Sequence, residues 1–195
     1  MMFIFIFFLL YCMCYSKETF VFPFNLYNIY NPLDQRFVKK TLNVIDNLFN
    51  KKDIKYWLMM ETLLGAVRDS NVIYNNYNQY QIGTYIQNKN KILELQVKDY
   101  EFILKDKPVY NIKTKEKIIQ NSVSIDIKYK GKHIGDIYLF QVFKDGIIRN
   151  YDIHNGVYYM PRLSFPEWFV HKLSQVNIDG KRYPAPRYSI RLLQH

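Results

Sequence analysis

The sequence predicts an α+β fold, in which helices flank a mixed sheet that contains antiparallel pairs. Apolar residues recur at helical spacing in some stretches, whereas apolar and polar residues alternate in others. The chain of 195 residues is long enough to bury a sizeable core, and a hydrophobic fraction of 49% excludes a disordered chain. Neither a repeat nor a Gly/Ser linker interrupts it, so we expect one domain over residues 17–195.

The first half of this domain reads as alternating helices and strands. An apolar stripe predicts the first helix, and a short aromatic run, DIKYWLMM, is typical of a core strand. The segment ETLLGAVR then contains strong helix formers. The predicted elements are a helix over residues 35–50, a strand over 53–60, a short helix over 61–68 and a second strand over 79–86.

The second half predicts a hairpin followed by irregular structure and a final helix. Two alternating segments flank Lys130-Gly131-Lys132, a sequence that is typical of a hairpin turn. The predicted elements are strands over residues 122–129, 133–142 and 156–160, a helix over 165–173 with Pro166 in its first turn, a turn over 177–180, an extended connection at 184–186 and a helix from Tyr188.

The first 16 residues predict a targeting segment. Residues 1–14 form an uncharged apolar run that is too short to span a bilayer as a helix but has the length of a signal-peptide core. Cys14 and Ser16 are small residues at the −3 and −1 positions before Lys17. We therefore expect a signal peptide or a short N-terminal anchor over residues 1–16, and a location outside the cell, in the ER or Golgi lumen, or on a membrane. A buried first strand is the alternative.

Charge and composition narrow the function classes. The net charge of +10 favours anionic partners, although the lysines are scattered. Both cysteines, Cys12 and Cys14, lie in the N-terminal segment, so a cleaved chain has neither a disulfide nor a Cys-ligated zinc site. The histidines show no metal-ligand spacing, and no Gly-rich phosphate loop occurs. A secretory signal argues against nucleic acid as a partner.

The residues that carry chemistry follow the first core strand. Residues 57–68 read WLMMETLLGAVR, and Ile73 follows them. This segment resembles the signature of the LicD/fukutin family, in which a strand leads into Gly-Thr-Leu-Leu-Gly-Ala-x-Arg, an Ile-Pro-Trp turn and a run of aspartates. Residues 176–187 and 190–194 resemble the C-terminal ending of the family. The resemblance covers residues 35–195.

This resemblance implies a nucleotidyltransferase-like fold and the transfer of a phosphorylated group from a nucleotide-linked donor to a glycan. The groups that the family transfers include phosphocholine, ribitol phosphate and mannosyl phosphate. Two divalent ions, Mg²⁺ or Mn²⁺, neutralise charge at the reacting phosphorus and require oxygen ligands. Two aspartates one residue apart on a strand face the same side of the sheet, and a third from a neighbouring strand completes the ligand set.

The segment that should hold the aspartate run contains no acidic residue. No Asp or Glu occurs over residues 70–93. Two unit charges roughly 4 Å apart interact by about 4 kcal/mol at an effective dielectric of about 20, so this loss weakens cation binding strongly. A one-residue shift in the comparison places Gln79 and Gln81 at the aspartate positions. An ungapped comparison places these residues at the metal positions: Asn76, Tyr77, Asn78 and Tyr80.

The remaining site positions are mixed. Glu61 replaces the family's glycine, and its charge repels phosphate at a helix start, whereas Thr62 is retained. Arg68 matches the motif arginine and either binds a phosphate or caps the helix. On the second hairpin strand, Asp136 is the best match to the third metal aspartate, and Asp126 is the next best. Both are our catalytic candidates; the alternative for both is a strand-edge carboxylate paired with lysine.

Three functions are compatible with these residues. The first is a LicD/fukutin-like protein of the secretory pathway that is catalytically impaired or a pseudoenzyme. The second is an active phosphotransferase with a substituted metal site that uses Asp136, Asp126 and Glu61. The third is a secreted interaction module on the same scaffold. An active enzyme implies Mg²⁺ or Mn²⁺, a phosphorylated nucleotide-linked donor and a glycan acceptor, whereas an inactive one implies no cofactor.

Overall fold

The computed structural model describes residues 32–71, 79–110, 117–150 and 164–194, and side chains for all of these except residues 32–34, 106–110 and 117–123. These residues belong to one compact unit, residues 31–195. The predicted targeting segment and the predicted strand over residues 156–160 lie outside the described residues. Among the described helices, none combines the length and the apolar composition needed to cross a bilayer.

The described elements alternate between helices and strands in the first half and are mostly strands in the second. The helices are α1 (Pro32–Lys51), α2 (Met60–Asp69), α3 (Lys89–Leu93), α4 (Trp168–His171) and α5 (Ser189–Gln194), with a 3-10 turn at Ile86–Asn88. The strands are β1 (Tyr56–Leu58), β2 (Tyr80–Tyr85), β3 (Tyr100–Tyr110), β4 (Lys117–Tyr129), β5 (Lys132–Val142), β6 (Ile147–Arg149), β7 (Ser164–Pro166), β8 (Ser174–Ile178) and β9 (Lys181–Ala185).

Strand β5 organises the main sheet, which has seven strands within the described part of the chain. The order is β1-β2-β5-β4-β3, and β6 joins β7 to the far end of β5. The β2–β5 pair is parallel, whereas the other pairs are antiparallel. Strands β2 and β4 therefore flank β5 on its two sides, and side chains from all three strands can meet on one face.

Helix α1 covers one face of this sheet. Its apolar stripe is buried against sheet residues such as Ile82 and Ile137, which are themselves fully buried. A buried ionic contact fixes the helix laterally: Asp46 accepts a 2.6 Å hydrogen bond from the Tyr56 hydroxyl and lies 2.6 Å from Lys181 Nζ on β9. This arrangement ties the β8–β9 hairpin to α1.

A second apolar cluster lies on the opposite face, toward the end of β5 that pairs with β6. Its buried members include Trp57, Phe140, Phe165 and Phe169. Because side chains alternate along a strand, residues two apart on β5 share this face. Asp136 therefore lies on the same face as Phe140, beyond the edge of the apolar cluster.

The structure confirms the predicted α+β class and corrects the C-terminal elements. The predicted helix over residues 165–173 is instead strand β7 followed by the short helix α4. Pro166 of β7 pairs with Ile147 of β6. Because β7 has one pairing partner within the described residues, it tolerates a residue without an N–H donor. The predicted turn and extended connection form the β8–β9 hairpin, and Pro184 lies inside β9.

Candidate metal and phosphate site

The β4–β5 register brings two carboxylates together. Asp126 pairs directly with Asp136, so their side chains share one face of the sheet. His133 approaches them from the start of β5, with Nε2 3.2 Å from Asp136 Oδ1 and 4.0 Å from Asp126 Oδ1. The ligand atoms of the three side chains lie within 4.8 Å of one another. That spacing is compact enough for one cation to bind all three after small side-chain adjustments.

Burial makes this carboxylate pair electrostatically unfavourable without a cation. Burial raises the pKa of Asp136, and the neighbouring Asp126 carboxylate raises it further. His133 and Lys105 act in the opposite direction, and Lys105 Nζ lies 3.0 Å from Asp126 Oδ1. A divalent cation would relieve the repulsion between the two carboxylates more completely than one half-exposed lysine does.

The neighbours of His133 restrict how its ring could bind a metal. His133 Nε2 lies 3.0 Å from the carbonyl oxygen of Gly135 as well as 3.2 Å from Asp136 Oδ1. Both neighbours are acceptors, so this geometry assigns the proton to Nε2. To bind a metal, the ring must release that proton or offer Nδ1 after a rotation.

Gln81 occupies the position next to Asp136 on the other side of β5. The two residues are register partners in the parallel β2–β5 pair. Gln81 is 6% exposed, its backbone N–H donates a 2.8 Å hydrogen bond to Thr62 Oγ1, and its Oε1 accepts a hydrogen bond of 3.2 Å from that hydroxyl. A neutral amide, already hydrogen bonded, therefore stands where a second strand could have supplied a carboxylate.

Tyr80 does not belong to this site, which corrects the ungapped comparison. Its side chain is fully buried in the core under α1, close to Gly135, where an added Cβ would lie 2.8 Å from the tyrosine ring. A one-residue change in alignment exchanges the two faces of a strand, so Gln81, and not Tyr80, faces the carboxylates. Asn76, Tyr77 and Asn78 lie outside the described residues.

Helix α2 carries Glu61 and Thr62 in its first turn. Thr62 is buried and contacts Gln81 as described above, whereas Glu61 is exposed. Burial raises the pKa of Tyr138 to about 12, and Asp136, Glu61 and Asp126 add to the rise through their charges. The charges of all three carboxylates therefore reach one tyrosine on β5.

Arg68 lies at the other end of α2. It is in the last helical turn, roughly 10 Å along the axis from Glu61, and forms a bidentate contact with Asp69 at 2.7 and 2.8 Å. The structure thus brings Asp126 and Asp136 together and places Thr62 against Gln81, the strand neighbour of Asp136, whereas Arg68 lies at the far end of α2. Its position agrees with the alternative in which the arginine stabilises the helix end.

Sequence reasoning did not predict the proximity of His133 to the two carboxylates or the contact of Lys105 with Asp126. The sequence signal for this contact is the three-residue spacing of His133 and Asp136 at the start of a hairpin strand. Lys105 had no such signal, because β3 was not predicted and its register with β4 depends on two irregular pairing steps.

Comparison with known proteins decides the family. The model of the LicD/FKTN/FKRP nucleotidyltransferase domain matches residues 53–188 of the chain. The chain belongs to the LicD family. This LicD-family domain is also similar to a solved structure described as lincosamide antibiotic adenylyltransferase LnuA, lincomycin-bound, with a TM-score of 0.48, 19% identity, and coverage of 80% of this chain and 84% of that chain. No curated protein matches the chain in sequence.

Family membership supports a phosphotransferase-type domain, and the donor set of this LicD-family member fits one cation. Two carboxylates and an imidazole suit Mn²⁺, and two carboxylates suit Mg²⁺ with water completing its shell. A bound cation would neutralise phosphate charge at this face. The described residues do not fit a second cation, because Gln81 contributes no charge and Lys105 already contacts Asp126.

Proposed function

We propose that this protein is a catalytically impaired phosphotransferase-type domain that binds one divalent cation through Asp126, His133 and Asp136. The observation that carries the proposal is the difference between the two neighbours of Asp136 on adjacent strands. Asp126 is a carboxylate, whereas Gln81 is an amide. Cation binding is therefore retained on one side of β5 and lost on the other.

The loss of charge on β2 has a direct catalytic consequence. Phosphoryl-type transfer depends on neutralising the charge that the donor and the transition state concentrate at phosphorus. A shortfall of about 4 kcal/mol, the scale of one missing charge contact, corresponds to roughly a thousandfold in a rate or binding constant. Glu61 adds to the shortfall, because its negative charge lies at the helix start that would otherwise attract phosphate.

The substrates and the compartment are part of the same proposal. The donor is a nucleotide-linked phosphorylated group, and the acceptor is a glycan, because the family to which the chain belongs is of the phosphotransferase type. The apolar segment over residues 1–16 supports action in the secretory pathway. Fractionation of cells that express the tagged full chain tests this location; recovery in the cytosol with an intact N-terminus would contradict it.

Cation binding and donor turnover test the proposal together. Isothermal titration with Mn²⁺ should give one cation per chain, and Asp136→Asn should weaken that binding about a hundredfold or more. Asp53→Asn is a matched control, because Asp53 is an exposed carboxylate with positive φ that asparagine tolerates. Phosphorus NMR with CDP-linked donors should show turnover no faster than in Asp136→Asn. Two bound cations would contradict the proposal.

A second candidate function is an active phosphotransferase with a substituted metal site. The observation that favours it is the direct pairing of Asp126 with Asp136, with Glu61 close enough to act on the same tyrosine. The same NMR measurement separates the two functions. Cation-dependent turnover of a CDP-linked donor that disappears in Asp136→Asn would support the active enzyme and exclude the impaired one.

A further inference from the structure

Helix α4 and the segment before α5 border an open cavity on the surface of the domain. Its volume is about 290 Å³. The cavity is not part of the cation site, since none of the cation-site residues lines it. It is lined by Glu167, Trp168, His171, Lys172, Arg187 and Tyr188.

Two aromatic side chains form a fixed wall of this cavity. The rings of Trp168 and Tyr188 meet edge to face, with centroids 4.6 Å apart, and Trp168 makes a second such contact with Phe169 at 4.4 Å. Phe169 is 2% exposed in the second apolar cluster, and its carbonyl oxygen accepts a 2.8 Å hydrogen bond from the Arg187 backbone N–H. Trp168 nevertheless remains 48% exposed. A large aromatic surface is thus held rigidly and left open to solvent.

The charges around this wall are mainly positive. Arg187 and Lys172 are exposed, and among the described residues no carboxylate lies within ion-pair distance of either. The Arg187 and Arg191 guanidinium carbons lie 5.8 and 5.7 Å from the Tyr188 ring centroid. Glu167 is the acidic residue of the lining, and its carboxylate lies 3.9 Å from His171 Nδ1.

We propose that this cavity binds one sugar unit that carries a phosphate group. The apolar C–H face of the sugar ring packs against Trp168 and Tyr188, because such rings present large contact area at low entropic cost. The phosphate contacts Arg187 and Lys172, and Glu167 accepts hydrogen bonds from sugar hydroxyls. Naming a phosphorylated glycan as the physiological source rests on the proposed function, whereas the binding itself requires no cation.

The shape of the site favours a sugar phosphate over an anionic membrane. A membrane surface requires a flat or protruding apolar face with cations around it. Here the aromatic wall borders a cavity, and Glu167 would face the anionic headgroups at a cost in repulsion. A concave site with an aromatic wall and charged side chains at its margin instead fits a small polar ligand.

Tryptophan fluorescence provides a local measurement of binding. The chain has two tryptophans, and Trp57 is fully buried, so iodide quenching reports mainly on Trp168. The full chain, without divalent cation, is titrated with the 6-phosphates of glucose, mannose and galactose, with the parent hexoses and with inorganic phosphate. At least one sugar phosphate should protect Trp168 at roughly millimolar concentration and bind about tenfold tighter than its hexose or phosphate alone.

Two arginine variants distinguish binding at this cavity from nonspecific attraction to a basic protein surface. Arg187→Gln should weaken binding of the sugar phosphate about tenfold, whereas Arg182→Gln, an equal change of charge at an exposed position on β9, should leave it unchanged. Circular dichroism checks that Arg187→Gln is folded. A calorimetric titration of Trp168→Ala, which removes the fluorescent reporter, should show the same loss.

Several outcomes would overturn the inference. Inorganic phosphate that binds as tightly as every sugar phosphate, equal effects of the two arginine variants, or no protection by any of the three sugar phosphates would each do so. Binding only to vesicles containing phosphatidylserine would assign the surface to a membrane. Sugar-phosphate binding should be unchanged in Asp136→Asn. The test is therefore independent of the cation site, and either proposal can fail alone.

Discussion

The β4–β5 half of the candidate site and its β2 half share one sheet face and one register, yet they offer a cation different chemistry. Asp126 and Asp136 supply two carboxylates that repel each other, whereas Gln81 supplies an amide whose oxygen is already bonded to Thr62. The difference teaches that two neighbouring strands of one sheet can present charged and uncharged side chains at the same level of a candidate cation site. The hydrogen bonds of Gln81 satisfy the buried position in place of a metal.

The largest expected effect comes from removing a carboxylate on the β4–β5 side of the candidate site. Asp136→Asn should lower the affinity for Mn²⁺ by about a hundredfold or more, because it removes one of the two carboxylates and leaves a neutral ligand at the same position. Isothermal titration measures this change. Retained affinity in this variant would mean that the cation binds elsewhere.

The next effect comes from adding a carboxylate on the β2 side, which is uncharged in the wild type. Gln81→Glu keeps the size of the side chain and adds a carboxylate beside Asp136, so cation affinity should rise about tenfold. Without a cation the same variant should be less stable by roughly 1–3 kcal/mol, since a third buried carboxylate is added. Urea unfolding with and without Mn²⁺ measures both changes. Gln81→Met is the uncharged control and should show no gain in cation affinity.

A smaller effect concerns the contact that holds Gln81. Thr62→Val leaves the Gln81 backbone N–H and amide oxygen without their shared partner, which should cost about 1–3 kcal/mol of unfolding free energy. Thr41→Val is the matched control, because Thr41 is equally buried and its hydroxyl donates to carbonyl oxygens of its own helix. Equal losses in the two variants, measured by urea unfolding, would argue against a special role for the Thr62–Gln81 contact.

The smallest expected effect is the pH dependence of stability in the absence of a cation. The pKa of Asp136 is raised in the folded state, so the unfolded carboxyl loses its proton at a lower pH than the folded one. Stability should therefore decrease as pH rises from the ordinary aspartate pKa through the raised value. Asp136→Asn should flatten this dependence, and Mn²⁺ should reverse it in the wild type. Urea midpoints across this pH range test the sign.

The apolar periodicity and aromatic runs of individual segments predicted most elements in the first half of the fold. Helix α1, strand β1, helix α2 and strand β2 were expected within a few residues of their observed ends, because each has a clear apolar period or an aromatic run. The hairpin of β4 and β5 was also expected from the turn at Gly131. Strand β3 and the β8–β9 hairpin were missed, since their residues alternate weakly and Pro184 suggested a connection.

The sequence by itself determined the family motif, the absence of acidic residues over 70–93 and the candidacy of Asp126 and Asp136. Only the tertiary structure decided that Gln81, and not Tyr80, faces these carboxylates, because the side-chain direction on β2 depends on pairing with β5. It also brought His133 and Lys105 to the pair and assembled the aromatic cavity from α4 and the segment before α5. Such contacts join residues distant along the chain, and local periodicity carries no information about them.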